Sequence, residues 1–231
     1  LGDVYKRQVQ VSPVTKFHSG AGYQYEDSVI YGFTHTNKGH WNLCHIPLLP
    51  VTGTPTPGDY CSPFSHERES AAPGYYQVFL DRYGVDAQLS STLRCAFHKY
   101  TYPAGAAASL LADLQRSNEH VRAWDIRKEG DNVFAGWQQT GEKMYFYAVA
   151  NRPVTGIEPV VEGDREVRIV RFGEGDGALE LRIGFSFVSE KNARENLEAE
   201  MLGKSFAEVR SEATATWNDL CLLYTSPSPR D

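Results

Sequence analysis

The sequence predicts a mainly β protein, an antiparallel β-sandwich followed by two helices. Three observations carry this. Leu179–Phe185 alternates strictly, with Leu179, Leu181, Ile183 and Phe185 on one face and Glu180 and Arg182 on the other, the period of a half-buried strand. From Val9 to about Phe187, short β-rich runs recur between turn-forming residues, a spacing typical of sandwiches. After Ser189 the composition turns to Glu, Lys, Arg, Ala and Leu, which favour helix.

In chain order, Tyr31–Thr36 opens as a strand, turns through Asn37-Lys38-Gly39 and returns as the apolar Leu43–Val51. Tyr75–Leu80, Val85–Leu89 and Arg94–Tyr102 are further strands. The first two are joined by Asp81-Arg-Tyr-Gly84, whose residues favour a turn. Met144–Val149 is apolar on both faces, as a central strand covered on both sides requires. Gly173–Gly177 supplies the turn before Leu179. Ser189 and Asn192 offer cap chemistry at the start of Glu190–Met201. Leu202-Gly203-Lys204 interrupts that helix, and Ser205–Leu220 resumes the pattern, with Ser205 and Glu208 placed as a capping box. Phe206, Val209, Ala213 and Trp217 fall on one apolar stripe. No layer remains in the sequence to cover it, so the stripe is expected to face a further domain.

The two ends read as foreign to the protein. One back-translation of Leu1–Gln8, taken on the opposite strand and one base out of phase, encodes Cys221–Ser228. A ligated sequencing adapter explains that relation and protein chemistry does not. The expected organisation is therefore residues 1–8 adapter-derived, 9–188 β-sandwich, 189–220 helical linker and 221–231 adapter-derived. The native stretch is expected to be cut on both sides.

The 231 residues carry a net charge of −6. Leaving out the three basic and two acidic residues of the ends moves this to −7. Both signs are mixed along the chain, so no basic stripe exists to neutralise phosphates and no nucleic-acid partner is expected. No apolar run approaches the roughly twenty residues of a membrane span. Cys44, Cys61 and Cys95 lack the spacing of a disulfide framework or zinc site.

The densest chemistry lies in Tyr31–Pro50. Its turn is expected to present His35, Thr36, Asn37, His40, Trp41 and Asn42 together. An exposed indole packs on the C–H face of a pyranose, and short polar groups meet its hydroxyls. A structural hairpin with a buried Trp competes with this reading. His35, His40 and His45 step by five residues, which puts successive members on opposite faces of a strand, so no metal site is assigned to them. His66, Glu67 and Glu69 precede the Pro73-Gly74 turn and read as a solvated or salt-bridged loop rather than an acid/base pair. Asp113 reads as a strand-end residue rather than a nucleophile. No catalytic set is found within the chain.

A series of blocks in order resembles the N-terminal domain of glycoside hydrolase family 92, the exo-acting α-mannosidases. They are Val9-Gln-Val-Ser-Pro13, Gly22-Tyr-Gln-Tyr25, Tyr31-Gly-Phe-Thr-His-Thr36, Phe64-Ser-His-Glu67, Pro73-Gly-Tyr-Tyr76 and Tyr83-Gly-Val85. Phe97-His-Lys-Tyr-Thr-Tyr-Pro103, Gly136-Trp137 and Asn192–Glu200 follow. The resemblance covers Val9–Leu220 and implies a galactose-mutarotase-like β-supersandwich with linker helices, packed in cis on a missing (α/α)6 helical barrel. It further implies a secreted or periplasmic, calcium-dependent, inverting exo-α-mannosidase of α-1,2 type acting on mannose-containing glycans. Its acid, base and most Ca2+ ligands would lie in the missing domain, so the fragment alone is expected to be inactive. In the sandwich the expected substrate-binding residues are Trp41, His35, Thr36, His40 and Asn42, with Trp41 stacking on the leaving-group sugar. A free-standing carbohydrate-binding sandwich, or one that only supports an enzyme domain, is the alternative.

Overall fold

The computed structural model describes residues 9–38 and 41–225, the last six as backbone alone. In chain order the strands are β1 (Val9–Val14), β2 (Val29–Ile30), β3 (Gly32–Lys38), β4 (Trp41–Asn42), β5 (Leu48–Val51) and β6 (Ser62–Pro63). Next come β7 (Glu69–Ala72), β8 (Tyr75–Leu80), β9 (Val85–Ser91), β10 (Cys95–Thr101), β11 (Ser109–Ala112) and β12 (Ala123–Lys128). The last are β13 (Val133–Gln139), β14 (Lys143–Ala150), β15 (Val154–Glu162), β16 (Arg165–Phe172) and β17 (Leu179–Ser186). Two helices follow, α1 (Glu190–Glu200) and α2 (Phe206–Thr225).

The strands form two large antiparallel sheets. One has the order β1-β3-β5-β11-β16-β15, with β4 paired to β3. The other runs β12-β13-β14-β17-β10-β9-β8-β7. Phe33, Leu49, Leu111 and Ile169 of the first sheet and Leu89, Tyr100, Phe146, Leu181 and Ile183 of the second share one core. The alternation read in Leu179–Phe185 is met, since all four apolar members are buried in it.

The second sheet is covered on both faces, which explains the two-sided apolar character of β14. Met144, Phe146 and Ala148 enter the core between the sheets. Tyr147 and Val149 pack instead against a second cluster of Tyr75, Cys95, Phe97, Leu197, Met201, Phe206 and Val209. Gly184 permits this layer. A Cβ there would lie 2.1 Å from the Ala193 carbonyl oxygen, so any side chain would push α1 off the sheet.

Both helix starts follow the sequence. The Ser189 hydroxyl accepts from the Asn192 amide. Ser205 and Glu208 bond reciprocally, each side chain accepting from the other's amide, so two of the otherwise unpaired N-terminal amides are satisfied.

The expectation that the stripe of α2 is left uncovered is corrected. Phe206 and Val209 are buried on Phe97, Tyr75 and Cys95. Ala213 lies beside Gly74, where a Cβ would come within 2.6 Å of its methyl. Trp217, further along, is half exposed. The covering layer is the outer face of the sandwich, which sequence spacing does not reveal. The backbone of α2 continues through Cys221–Thr225. Leu1–Gln8 and Ser226–Asp231, expected to be adapter-derived, lie outside the described residues.

Candidate functional site

β3 and β4 form a hairpin in which Lys38 pairs with Trp41 and Asn37 with Asn42. Trp41 is 54% exposed, and its ring lies over Gly20, 3.9 Å from where a Cβ would stand. Asn42, beside it, turns inward and is fully buried. Its Oδ1 accepts from the Cys44 amide at 2.8 Å and the Thr34 hydroxyl at 3.2 Å. Its Nδ2 donates to the Ser12 hydroxyl at 2.9 Å, and its own amide donates to the Gly20 carbonyl at 2.9 Å. The indole thus stands at the surface beside a buried amide bonded through both its oxygen and its nitrogen.

Backbone strain gathers around this hairpin. Among the described residues three that are not glycine adopt left-handed φ, namely His18 at 60°, Cys44 at 54° and Ile46 at 52°. Such angles are uncommon outside glycine and a genuine outlier for a β-branched residue. Each strained amide donates to a side-chain carbonyl: His18 to Asn118 Oδ1 at 2.6 Å, Cys44 to Asn42 Oδ1 at 2.8 Å and Ile46 to Gln138 Oε1 at 2.8 Å. Asn118 Nδ2 ties the loops together by donating to the Ser19 carbonyl at 3.1 Å and the Asn42 carbonyl at 2.7 Å. Gln138 Nε2 donates to the carbonyls of Leu114 and Arg116, both at 2.9 Å. Strain of this kind costs on the order of 1–3 kcal/mol per residue and persists where the surroundings enforce it, commonly at functional sites.

A carboxylate stands at the same rim. Glu119 Oε2 accepts from the Thr140 hydroxyl at 2.7 Å and lies 3.0 Å from His45 Nε2. Burial pushes the His45 pKa down, against the opposing pull of Glu119. Cys44 is no nucleophile, because burial pushes its thiol up to about 12.

Of the described residues read as a sugar site, Trp41 is exposed and Asn37 half-buried. His35 and Thr36 are buried, as is Asn42. Their expected presentation in the turn is corrected: β3 is an interior strand between β1 and β5, and its side chains are buried as far as Thr36. His35 packs against His98 and Phe185. His40 lies outside the described residues. Asn118, Glu119, Gln138 and His18 escaped sequence reading, being isolated polar residues, two of which, Asn118 and Gln138, bond to the Asn42–Ile46 segment from 76 and 92 positions away.

The other candidate clusters are structural. Glu69 accepts from the Tyr23 and Tyr76 hydroxyls at 3.0 and 2.6 Å, and His66 Nδ1 sits 2.5 Å away. Asp113 is buried and binds the Tyr60 hydroxyl at 2.6 Å and Arg165 at 2.8 Å. No three His, Cys, Asp or Glu side chains among the described residues group to hold a metal ion.

The chain belongs to glycosyl hydrolase family 92, whose N-terminal domain matches residues 8–196. It is 25% identical to a family GH92 α-mannosidase from Bacteroides thetaiotaomicron, with a TM-score of 0.82 over 91% of this chain and 34% of that one. The same enzyme solved with mannoimidazole superposes equally well, at 25% identity and a TM-score of 0.82 over 94% and 35% of the two chains. An uncharacterized secreted glycosidase of Arthroderma benhamiae is 22% identical over 90% of this chain and 34% of its own length. The chain therefore spans about a third of the relatives it matches. No helix among the described residues is long and apolar enough to cross a membrane.

Proposed function

We propose that this chain is the N-terminal, substrate-recognising part of a secreted or periplasmic exo-α-mannosidase, and that Trp41 forms its sugar-stacking platform. One observation carries the reading. A large aromatic side chain stands outward beside a buried, hydrogen-bonded Asn42, on a rim where three strained residues are each pinned by a side-chain carbonyl. Rigid aromatic faces beside fixed polar groups suit pyranose recognition. The resemblance to α-mannosidases, one of them solved with mannoimidazole, supports terminal mannose as the sugar, with α-1,2 linkage as the specific expectation.

Hydrolysis with inversion needs an acid and a water-activating base on opposite sides of the sugar, roughly 6.5–9.5 Å apart. The carboxylates of Glu69 and Asp113 are committed to internal partners. We assign the acid, the base and the calcium ligands to a helical domain that packs on this sandwich, and expect the chain alone to be inactive.

The test has two parts. The reading frame should continue beyond Leu220 into several hundred residues rich in paired helices, and that longer protein should release mannose from α-1,2-mannobiose while this chain does not. A stop codon within a few residues would leave a carbohydrate-binding module in place of an enzyme. Mannose release by the chain itself would overturn the division of labour.

A further inference from the structure

Glu119 is bound on one side only. Its Oε2 is fixed by Thr140 and by the buried His45, whereas Oε1 has no hydrogen bond to any described residue. The side chain is 42% exposed and His45 only 4%. The carboxylate therefore projects from a rigid base with one oxygen towards solvent. A strut between loops would engage both oxygens, as Glu69 does.

The topology brings the segment that carries Glu119 to the Trp41 hairpin. Asn118 and Asn42, the immediate neighbours of Glu119 and Trp41, are joined by a 2.7 Å hydrogen bond from Asn118 Nδ2 to the Asn42 carbonyl. Asn118 and Leu43 are joined by a backbone bond of 3.0 Å. Lys38, the cross-strand partner of Trp41, contributes its charge at Glu119. An aromatic plane with an adjacent one-sided carboxylate matches a pyranose, whose apolar face stacks while its edge hydroxyls donate.

We propose that Glu119 is a specificity-determining residue of the Trp41 platform, accepting a hydrogen bond from a hydroxyl of the bound sugar through Oε1. The inference rests on the sugar-stacking reading of Trp41. His45 and Thr140 act as positioning residues that fix the orientation of the carboxylate.

The experiment is a titration of this chain with methyl α-D-mannopyranoside and with α-1,2-mannobiose, followed by NMR shifts of backbone amides and the Trp41 indole. It compares the unaltered chain with Glu119→Gln, Glu119→Ala and Trp41→Ala, with thermal midpoints measured alongside. Glu119→Gln keeps one carbonyl oxygen for Thr140 and His45 and puts an NH2 donor where Oε1 accepts, so it should fold normally and bind about tenfold more weakly, the loss expected when a charge-assisted hydrogen bond is removed. Sugar-induced shifts at Glu119 that vanish in both Glu119 variants support the proposal. Unchanged affinity in those variants, with binding lost in Trp41→Ala, overturns it and leaves the Trp41 reading intact. Binding lost in the Glu119 variants but kept in Trp41→Ala upholds the carboxylate and overturns the stacking role. No shifts in the unaltered chain with either sugar overturn both.

Discussion

The Nε2 atoms of His35 and His98 lie 3.2 Å apart in the core, one ring from each sheet. The rings are stacked at 18°, and His98 Nδ1 meets the Tyr100 hydroxyl. One Nε2 must carry a proton and the other accept it, so the pair is held together only while at least one ring is neutral. Phe33 and Phe185 flank it. This polar contact across the sandwich joins β3, which leads to the Trp41 hairpin, to the sheet that carries the helices.

Burial holds His35 down at about 3 and His98 well below the ordinary histidine value. The unfolded chain takes up these protons near 6.5. Below that pH the unfolded state binds more protons than the folded one, so this contribution to stability, complete above about 6.5, declines as pH falls towards about 3. Urea midpoints at pH 7.5, 6 and 5 should decrease in that order. The same slope in a His35→Leu, His98→Leu double variant would count against the assignment.

His66 shifts the other way. Its hydrogen bond to Glu69, followed by that to the Tyr25 carbonyl, raises its pKa above the ordinary value. The stability from this contact is fully present below about 6.5 and is lost as pH rises through the raised folded value. An imidazole titration by NMR should place His66 above an unperturbed histidine. Glu69→Gln should return it towards about 6.5. A midpoint unmoved by that substitution would show that Glu69 is not the cause.

Trp41 and Asn42 are neighbours with opposite expected effects. Trp41→Ala removes an exposed ring and should change stability by no more than about 0.5 kcal/mol. Asn42→Ala strands the Cys44 amide, the Thr34 hydroxyl and the Ser12 hydroxyl, and should cost roughly 1–3 kcal/mol. Chemical denaturation of the two variants checks this. A cost for Trp41→Ala equal to that for Asn42→Ala would mean that the indole anchors the hairpin as much as the amide does.

Gly184→Ala should cost about 1–3 kcal/mol, because the added methyl meets the Ala193 carbonyl oxygen and the Leu197 side chain. The loss should appear as faster hydrogen exchange in α1 and as a lower denaturation midpoint. A variant of unchanged stability would show that α1 moves away from the sheet at little cost.

Local patterns in the sequence were enough for the elements. Alternation in Leu179–Phe185, the two-sided apolar run of β14, the Ser189 cap and the Ser205–Glu208 box act within a few residues of themselves. Each is found where the sequence puts it. The ordered family blocks gave the sandwich and its relatives for the same reason, since they are linear.

The site was decided by the tertiary structure. Trp41 is legible as an aromatic residue in a polar turn, but whether it faces outward depends on Asn42 being saturated from Ser12, Thr34 and Cys44. Histidine and threonine in the same stretch look equally available, yet both are buried, His35 against His98 and Phe185 of the other sheet. Glu119 and Asn118 carry no periodic signal and reach the hairpin only when the chain returns after more than seventy residues. The stripe of α2 likewise shows that it must be covered, while its partner, the outer face of the second sheet, emerges only from the fold. Periodicity and capping are short-range forces written into neighbouring residues; which faces meet is settled by burying apolar area across the whole chain at once.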